Sequence, residues 1–565
     1  MKSKTIFRAA MAAASLLAAQ GAAAASSSDM IFVNGEVMTP SGWADSVAVK
    51  DGVIVAVGAR DDVMKLKDAK TELVDLGGKT VLPGLYDMHV HTFYAGQDKR
   101  SCKFASGAKA DEIVAAVKAC VEKAEPGEWI IGGSWVGAVF APGEQNKRLL
   151  DAVSPENPVV LNDESLHSTW VNSLALEKAG ITRDTPDPEG GVIDRDENGE
   201  PTGVLRESAS RAVLDSAPGA DIETQVSDVK VATDEMLSYG IVAFTDASIR
   251  LNYVNGISEY AKRGGLKQYA RGCIVWGPNS NGSEALVPAR QQYAGGRLKL
   301  DCIKLFLDGV PTESHTGAMI EPYEPREGEG KGAKREYGML MIPQEKLNAA
   351  VADFDRQGLE IKFHAAGDGA VRAAINAIEY AREKNGRGGP RHEVGHNTFV
   401  DLKDVARNKE DGFAWEFSPY IWYPTPITSV DIAKAVGPKR MKRLWPIKDV
   451  IESGALVVAG SDWPVVPSVN PWLGIETLVT REKPGGEGEP INAGQRITVE
   501  QALRIFTSNG AALMGRLDKG GTIEVGKLAD IIILDRNPTK IPAGEIHETK
   551  VLKTYIGGEE VFSAD

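Results

Sequence analysis

The chain is short of positive charge. It carries 64 lysines and arginines against 78 aspartates and glutamates over 565 residues, which gives a formal net charge of −14. Such a protein repels the phosphates of nucleic acids and of anionic membrane surfaces, so neither is expected as a partner. The expected partner is a small-molecule substrate. Whether the chain also forms a homo-oligomer is left open by the sequence.

Long apolar runs are missing beyond the N-terminus. Residues 1–25 have the pattern of a secretory signal peptide, with three basic residues, an Ala/Leu-rich run and a possible cleavage site at Ala23–Ala25. That run is too short to serve as a membrane span. The sequence therefore predicts an exported, periplasmic protein without stable membrane insertion.

Cysteine is scarce, with four in the chain. In an oxidising compartment four cysteines allow three pairings. We expect a Cys102–Cys120 disulfide, because it would close a modest loop and contribute about 3 kcal/mol. Cys273 and Cys302 are expected as thiols in apolar strands. The alternative is four free thiols.

The two ends of the chain have the same strand-like character. An Asn-Gly pair at 34–35 and an Asp-Gly pair at 51–52 each predict a tight hairpin. Similar apolar runs, interrupted by glycines, occur near the C-terminus. Residues 26–82 and 521–565 are therefore expected to build one small β-sandwich domain.

The middle of the chain, residues 83–520, alternates strand-like and helical patterns. Alternation over this length predicts a parallel sheet closed into a TIM-like (β/α)8 barrel, within an α/β fold. An inserted segment is expected around 95–235, with a hairpin at 190–206. Thr498 with Gln501 has the pattern of a helix capping box.

Histidine is also scarce, with eight residues, and two of them stand together. His89 and His91 follow an apolar run and a Pro-Gly turn. Alternate residues of a strand share a face, so both rings would project side by side with Asp87 beneath them. Two imidazoles on one strand end are half of a metal site. The alternative is a surface or core pair that binds no metal.

Four further polar groups lie late in predicted strands. They are Lys304, His364, His396 and Asp462. Chemistry in a (β/α)8 barrel takes place where the strands end, so these groups are expected to meet the histidine pair at the barrel mouth. Singly, each would more often be a core, rim or turn residue.

The ordered set of a paired His, then Lys, His, His and Asp resembles the amidohydrolase superfamily. It is most similar to the amidohydrolase-3 branch, which includes N-substituted formamide deformylase. The resemblance covers nearly all of the mature chain. The stretches that carry it are residues 84–91, 167–176, 199–207, 303–309, 363–370, 460–465 and 526–535.

The resemblance implies a distorted barrel that holds two divalent metal ions, with zinc expected. The implied ligands are His89, His91 and Asp462 for one ion, His364 and His396 for the other, and a carbamate on Lys304, formed with carbon dioxide, shared by both. A bridging hydroxide would attack an amide-type C–N bond of an N-acyl or N-formyl compound, and Asp462 would carry its proton to the leaving nitrogen. The alternatives are an ester or cyclic amide substrate, or a non-catalytic exported binding or regulatory protein.

Two features depart from the family pattern. Relatives usually carry Ile-Glu before the histidine that matches His396, whereas this chain has Val394-Gly395. Lys362 shares strand parity with His364 and should also point inward. It is either an ion-paired lysine of the barrel floor or a rival to Lys304 for the carbamate, and the IKLFLDG context favours Lys304.

Other residues are candidates for the surroundings of the site. Asp87 and Asp368 would orient ligating histidines. Expected substrate contacts are His167, Trp170, His315, Tyr420, Trp422 and Trp463, with Tyr423 beside them. The aromatic residues of this set would line an apolar pocket. His392 and His547 are expected to be structural.

Overall fold

The computed structural model describes residues 27–564 apart from 106, 142, 313, 327, 329–333, 409–411, 422–426 and 487. The predicted signal peptide therefore lies outside the described residues, as do Trp422 and Tyr423. Within the described part of the chain, no helix has the length and apolarity needed to cross a membrane.

An eight-stranded parallel sheet forms the centre of the molecule, and its strands are neighbours in chain order. The strands are Leu85–Val90, Ile241–Ile249, Tyr269–Trp276, Leu298–Phe306, Glu360–Ala365, Glu393–His396, Ala414–Phe417 and Leu456–Ala459. We number these barrel strands one to eight. A bridge from Val90 to Trp463 nearly closes the sheet between the first and the last strand. The predicted TIM-like barrel is confirmed.

Helices surround this sheet because the strands are apolar on both faces. Every residue of the second strand, for example, is buried, and such strands need a covered outer face. The helices of this layer are Thr92–Lys99, Ile222–Ser238, Val254–Lys262, Leu286–Tyr293, Gln344–Arg356, Asp368–Asn385, Leu402–Val405, Ala433–Met441, Ile447–Glu452, Pro471–Thr480, Val499–Arg504 and Gly510–Leu513. The predicted capping box is present, since Thr498 and Gln501 cap each other's backbone N–H groups.

Both ends of the chain build a separate domain of two sheets. A four-stranded sheet contains Met30–Val33, Ser46–Lys50, Val53–Gly58 and Glu72–Asp75, and a short helix, Arg60–Val63, precedes the last of these. A six-stranded sheet contains Glu36–Thr39, Gly42–Ala44, Thr80–Pro83, Ile531–Leu534, Val551–Ile556 and Glu559–Ser563. The separate domain predicted from both termini is confirmed.

One of the two predicted hairpins in this domain is wrong. The Asp-Gly pair at 51–52 does join neighbouring antiparallel strands, with Lys50 opposite Val53. The Asn-Gly pair at 34–35 instead carries the chain from one sheet to the other. Phe32 and Val37 on either side of it pack into the same core between the sheets, so their strands face each other rather than pair.

An inserted sheet lies between the first and second barrel strands. Its strands are Cys102–Lys103, Ile130–Trp135, Val159–Asp163, Ser168–Val171, Gly191–Arg195 and Pro201–Glu207. Its helices are Ala110–Val121, Lys147–Asp151, Ser173–Lys178 and Ser208–Leu214. The last two strands pair antiparallel, as the predicted hairpin at 190–206 requires.

The four cysteines form two disulfides. Cys102 is joined to Cys120, across the inserted sheet and the helix beside it. Cys273 is joined to Cys302, so the prediction of two thiols there is wrong. The register of the third and fourth barrel strands places these two residues directly opposite each other, with 4.3 Å between their Cα atoms. Strand patterns in the sequence do not reveal that register.

Candidate metal centre

Six polar side chains meet in one cavity at the carboxyl ends of the barrel strands. The lining of this cavity includes His89, His91, Lys304, His364, His396 and Asp462. All six predicted metal ligands therefore lie together, although they are up to 373 positions apart in the chain. This is the position that barrel chemistry occupies.

His89, His91 and Asp462 form the tightest group. One carboxylate oxygen of Asp462 lies 3.1 Å from Nε2 of His91 and 3.4 Å from Nε2 of His89. One ligand atom from each of the three residues lies within 4.8 Å of the others. The backbone carries these residues together, because the Asp462 N–H donates to the His89 carbonyl at 2.7 Å.

His364, His396 and Lys304 lie beside that group. The rings of His364 and His396 have their centres 4.3 Å apart, and the ring of His396 lies 4.7 Å from that of His89. The other oxygen of Asp462 is 3.7 Å from Nδ1 of His396. The Lys304 ammonium lies 4.9 Å from the centre of the Phe306 ring, and no carboxylate among the described residues pairs with it.

The donor set fits divalent metal ions. Burial lowers the pKa of His89, His364 and His396 well below the ordinary value, so these rings are neutral and available as ligands. Nδ1 of His91 and Nε2 of His396 are buried without a hydrogen-bond partner in the described part of the chain. An unpaired buried nitrogen is costly, and coordination to a cation would satisfy it.

Two of these residues adopt left-handed backbone conformations. The φ angle is 68° at His396 and 64° at Asp462. Side chains other than glycine disfavour this region, and such strain concentrates at functional sites. The conformations turn both side chains from the strand ends into the cavity.

Glu416 contributes a carboxylate that the sequence analysis missed. It lies on the seventh barrel strand, and its Oε2 is 2.9 Å from Nδ1 of His89. A carboxylate behind a ligating histidine fixes which ring nitrogen faces the metal. A Cβ on Gly395 would lie 2.7 Å from that same oxygen, so the glycine leaves room for Glu416. This chain thus has Gly395 where relatives usually have Glu, and Glu416 on the neighbouring strand supplies a carboxylate beside that position.

Lys362 belongs to the barrel floor. Its ammonium donates to the carboxylates of Glu393 and Glu416 and to the carbonyl of Met88. Arg271 holds Glu393 from the other side at 2.7 Å. The sequence allowed two interpretations of Lys362, and these contacts match an ion-paired lysine of the barrel floor rather than a rival to Lys304 for the carbamate.

The two aspartates expected behind the ligating histidines do not contact their rings. Asp87 accepts hydrogen bonds from the backbone N–H groups of His89 and Ser461, both at 3.0 Å, and so ties the first strand to the Asp462 segment. Asp368 accepts from the N–H of Ile320. The carboxylate near His364 is Asp308, with Oδ1 3.7 Å from Nε2.

His167 reaches the cavity from the inserted sheet. It lines the same space as the six ligands, with its ring centre 4.9 Å from that of His364. Its Nδ1 lies 2.7 Å from the buried carboxylate of Glu207, which the sequence analysis did not single out. Trp170, from the same motif, is fully buried in the core of the inserted sheet and does not line the cavity. It lies on a strand whose residues are all buried.

The other predicted contacts that the structure describes, His315, Tyr420 and Trp463, lie away from the cavity lining. His315 stacks on Tyr323 with 4.4 Å between ring centres. Tyr420 and Trp463 are 2% and 1% exposed and pack into the barrel core. They therefore supply packing rather than an open pocket wall. His392 and His547 pair with Asp355 and Glu476 respectively, as structural histidines would.

Comparison with known protein families agrees with this fold and with these metal-donor side chains. The family model of the amidohydrolases matches residues 72–562 of the chain. The chain belongs to the amidohydrolase family. It is therefore a member of a family of metal-dependent hydrolases, and its cavity holds a His-His-Asp group suited to a metal ion.

Relatives of this amidohydrolase match it over nearly their whole length. YtcJ of Bacillus subtilis (strain 168) is 28% identical over 527 residues, covering 92% of this chain and 96% of that protein. N-substituted formamide deformylase of Arthrobacter pascens is 26% identical, covering 94% and 97%. The crystal structure of a metal-dependent hydrolase from Pyrococcus horikoshii OT3 superposes with a TM-score of 0.70 at 22% identity, covering 91% and 99%. That structure supports the fold alone.

Proposed function

We propose that this amidohydrolase is an exported hydrolase of amide-type C–N bonds in small N-acyl or N-formyl compounds. The observation that carries the proposal is the convergence of six metal-donor side chains on one cavity at the strand ends. The similarity to N-substituted formamide deformylase supports a C–N bond as the target.

Two divalent ions, expected to be zinc, would be held by the proposed ligands. Neutral histidines do not compensate the charge of such ions, so a second anion besides Asp462 would stabilise them. Burial, and next the ammonium of Lys362, lower the pKa of Lys304 to about 7, which supports a neutral amine that can take up carbon dioxide as a carbamate. Ions in this site would supply an activated water and a polarised carbonyl.

Asp462 is proposed as the residue that moves the proton. Its carboxylate lines the cavity within 3.4 Å of Nε2 of both His89 and His91, and it is 5% exposed. It would take a proton from the attacking water and deliver it to the leaving nitrogen. His167, which is held by Glu207 and lies near His364 in the same cavity, would contact the substrate.

The test joins elemental analysis to a hydrolysis screen. We expect about two divalent ions per chain, because six donors exceed what one tetrahedral ion uses. N-formyl, N-acyl and aryl amides should be hydrolysed, and Asp462→Asn should lower kcat by at least about 10²-fold, the usual scale of acid-base catalysis. One ion per chain would refute the binuclear site. Ester turnover without amide turnover would change the bond class, and metal binding without any turnover would favour a binding protein.

We also propose that the protein is exported and that its signal peptide is cleaved after residue 25. The two disulfides support an oxidising compartment. N-terminal sequencing of protein from the periplasm should start at Ser26. A cytoplasmic protein that retains Met1 would contradict export and leave the hydrolase proposal intact.

A further inference from the structure

The wall of the cavity that holds the proposed metal ligands carries an arginine for which the described part of the chain supplies no carboxylate partner. Arg211 lies on the helix Ser208–Leu214 and lines the cavity. A guanidinium has five N–H donors, and the described residues show one hydrogen bond, from Nη1 to the hydroxyl of Tyr94 at 3.1 Å. No carboxylate of the described residues lies within ion-pair distance of Arg211, and Asp215 acts on it only from a greater distance. Its remaining donors are available to a ligand.

A second arginine lies close by and is also without an ion-pair partner among the described residues. Arg250 is 4% exposed, and its Cζ lies 5.9 Å from the centre of the Phe306 ring, which lines the cavity. Burial lowers its pKa, and the charge of Arg211 lowers it further, so the two cations repel each other. Asp215 acts on both from the protein surface without pairing with either. Buried cations of this kind normally have an anion beside them.

The metal-loaded cavity would also carry excess positive charge. Among the described residues that line the cavity, Asp462 is the one carboxylate and Arg211 is a cation, and the proposed carbamate on Lys304 would add a second negative charge. Two divalent ions at the proposed ligands would bring more positive charge than these two anions offset. The chain as a whole has a net charge of −14, so this cavity is a local exception. An anionic ligand would complete its charge balance, and planar carboxylates suit the arginine fork.

We infer that the substrate carries a carboxylate, which Arg211 binds together with the hydroxyl of Tyr94. The inference rests on the proposed function and narrows its substrate class to N-acyl or N-formyl amino acids and similar acids. Tyr94 follows His91 by three positions, and its ring lies 6.3 Å from the ring of His91. The carboxylate site is thus within the length of a small molecule from the proposed metal ligands.

Binding measurements test this without turnover. N-methylsulfonylglycine resists hydrolysis, and its carboxamide has nearly the same shape without the charge. Calorimetry on the metal-loaded enzyme should give about 10–100-fold tighter binding of the acid, the scale of a charge-assisted hydrogen bond. Arg211→Met, or Arg211→Gln if the first variant does not fold, should bind both compounds equally. Tyr94→Phe should lose part of the preference.

Arg263→Met serves as the matched control, because Arg263 is exposed and paired with Glu223 on the outer face. It should keep the full preference for the acid. A preference that survives in Arg211→Met would overturn the inference, since the carboxylate would then bind the metal ions or another group. Equal binding of acid and carboxamide by the native enzyme would overturn it as well.

Kinetics separate this inference from the proposed function. In the native enzyme, N-formyl amino acids should exceed their carboxamides in kcat/KM by about 10–100-fold, and Arg211→Met should remove that gap chiefly through KM. Hydrolysis of both compounds at equal rates would overturn the inference and leave the hydrolase proposal standing. Arg211-dependent binding of the acid without hydrolysis of any compound would support the inference while the hydrolase proposal fails.

Discussion

The mouth and the floor of the barrel each contain a buried lysine, and the two lysines are direct neighbours across paired strands. Lys304 lies opposite Lys362 in the register of the fourth and fifth strands. Lys362 is surrounded by the carboxylates of Glu393 and Glu416. Lys304 has an aromatic ring beside it and acts on the three histidines His89, His364 and His396, and no carboxylate among the described residues pairs with it. One residue type at the same burial thus meets two different environments.

The difference teaches that partners rather than burial decide what a buried lysine does. A paired ammonium in a low-dielectric core is held as an ion, and removing a partner is costly. An unpaired one loses its proton more easily, which is why burial and the nearby Lys362 lower the pKa of Lys304 to about 7. The floor lysine is suited to holding the barrel together, and the mouth lysine to covalent chemistry.

Lys304→Ala should have the largest effect on activity. It removes the lysine that is proposed to carry the carbamate and would help to hold both ions, so kcat/KM should fall by at least about 10³-fold, more than the 10–100-fold typical of an outer partner. Acetate or propionate should restore part of the activity by occupying the vacated space. Steady-state assays with and without these acids provide the measurement, and a structure of the native enzyme should show a branched Lys304.

The opposite outcome would exchange the roles proposed for Lys304 and Lys362. If Lys304→Ala stays active while a Lys362 variant is inactive and recovers with added acids, the bridge has been assigned to the wrong strand. A Lys304→Ala enzyme that keeps both its metal content and its activity would remove the carbamate from the proposal altogether.

Glu416→Gln should have an intermediate effect, because Glu416 joins the floor to the mouth. The amide keeps the shape but loses the charge behind Nδ1 of His89. Metal affinity should fall by about 10–100-fold, as measured by competition with a chelator. Glu379→Gln is a suitable control, since Glu379 forms a peripheral ion pair with Arg407. Unchanged metal affinity in Glu416→Gln would mean that the His89 contact is structural only.

Lys362→Met should have the smallest effect on activity and a large effect on stability. It leaves Glu416 and part of Glu393 without their buried counterion, which should lower the free energy of unfolding by about 3–5 kcal/mol. The remaining folded enzyme should lose less activity than Lys304→Ala and should not respond to added acids. Denaturant unfolding and assays on the folded fraction check both parts. A fully stable but inactive variant would contradict the division between floor and mouth.

Several features could be predicted from local patterns. The strand alternation and the positions of His89, His364 and Asp462 late in their strands were sufficient to expect a barrel with polar groups at one end. This works because parallel strands all point their carboxyl ends to one face, so polar groups at strand ends meet regardless of their separation in the chain. The hairpin at 51–52 and the cap at Thr498 follow equally local rules.

The remainder depended on which strands are neighbours and in what register. Glu416 reaches His89 only because the seventh strand passes beside Gly395, and Cys273 meets Cys302 only because their strands pair at that step. Neither contact leaves a periodic trace in the sequence.

The sequence by itself determined the order of the proposed ligands and the barrel that gathers them, because strand ends and hydrophobic periodicity are local properties. Tertiary structure alone decided that Lys362 is ion-paired while no described carboxylate pairs with Lys304, and that Arg211 lines the cavity of the candidate metal centre. The physical reason is that a side chain's charge state and chemistry are set by atoms within a few ångströms, and those atoms come from distant parts of the chain.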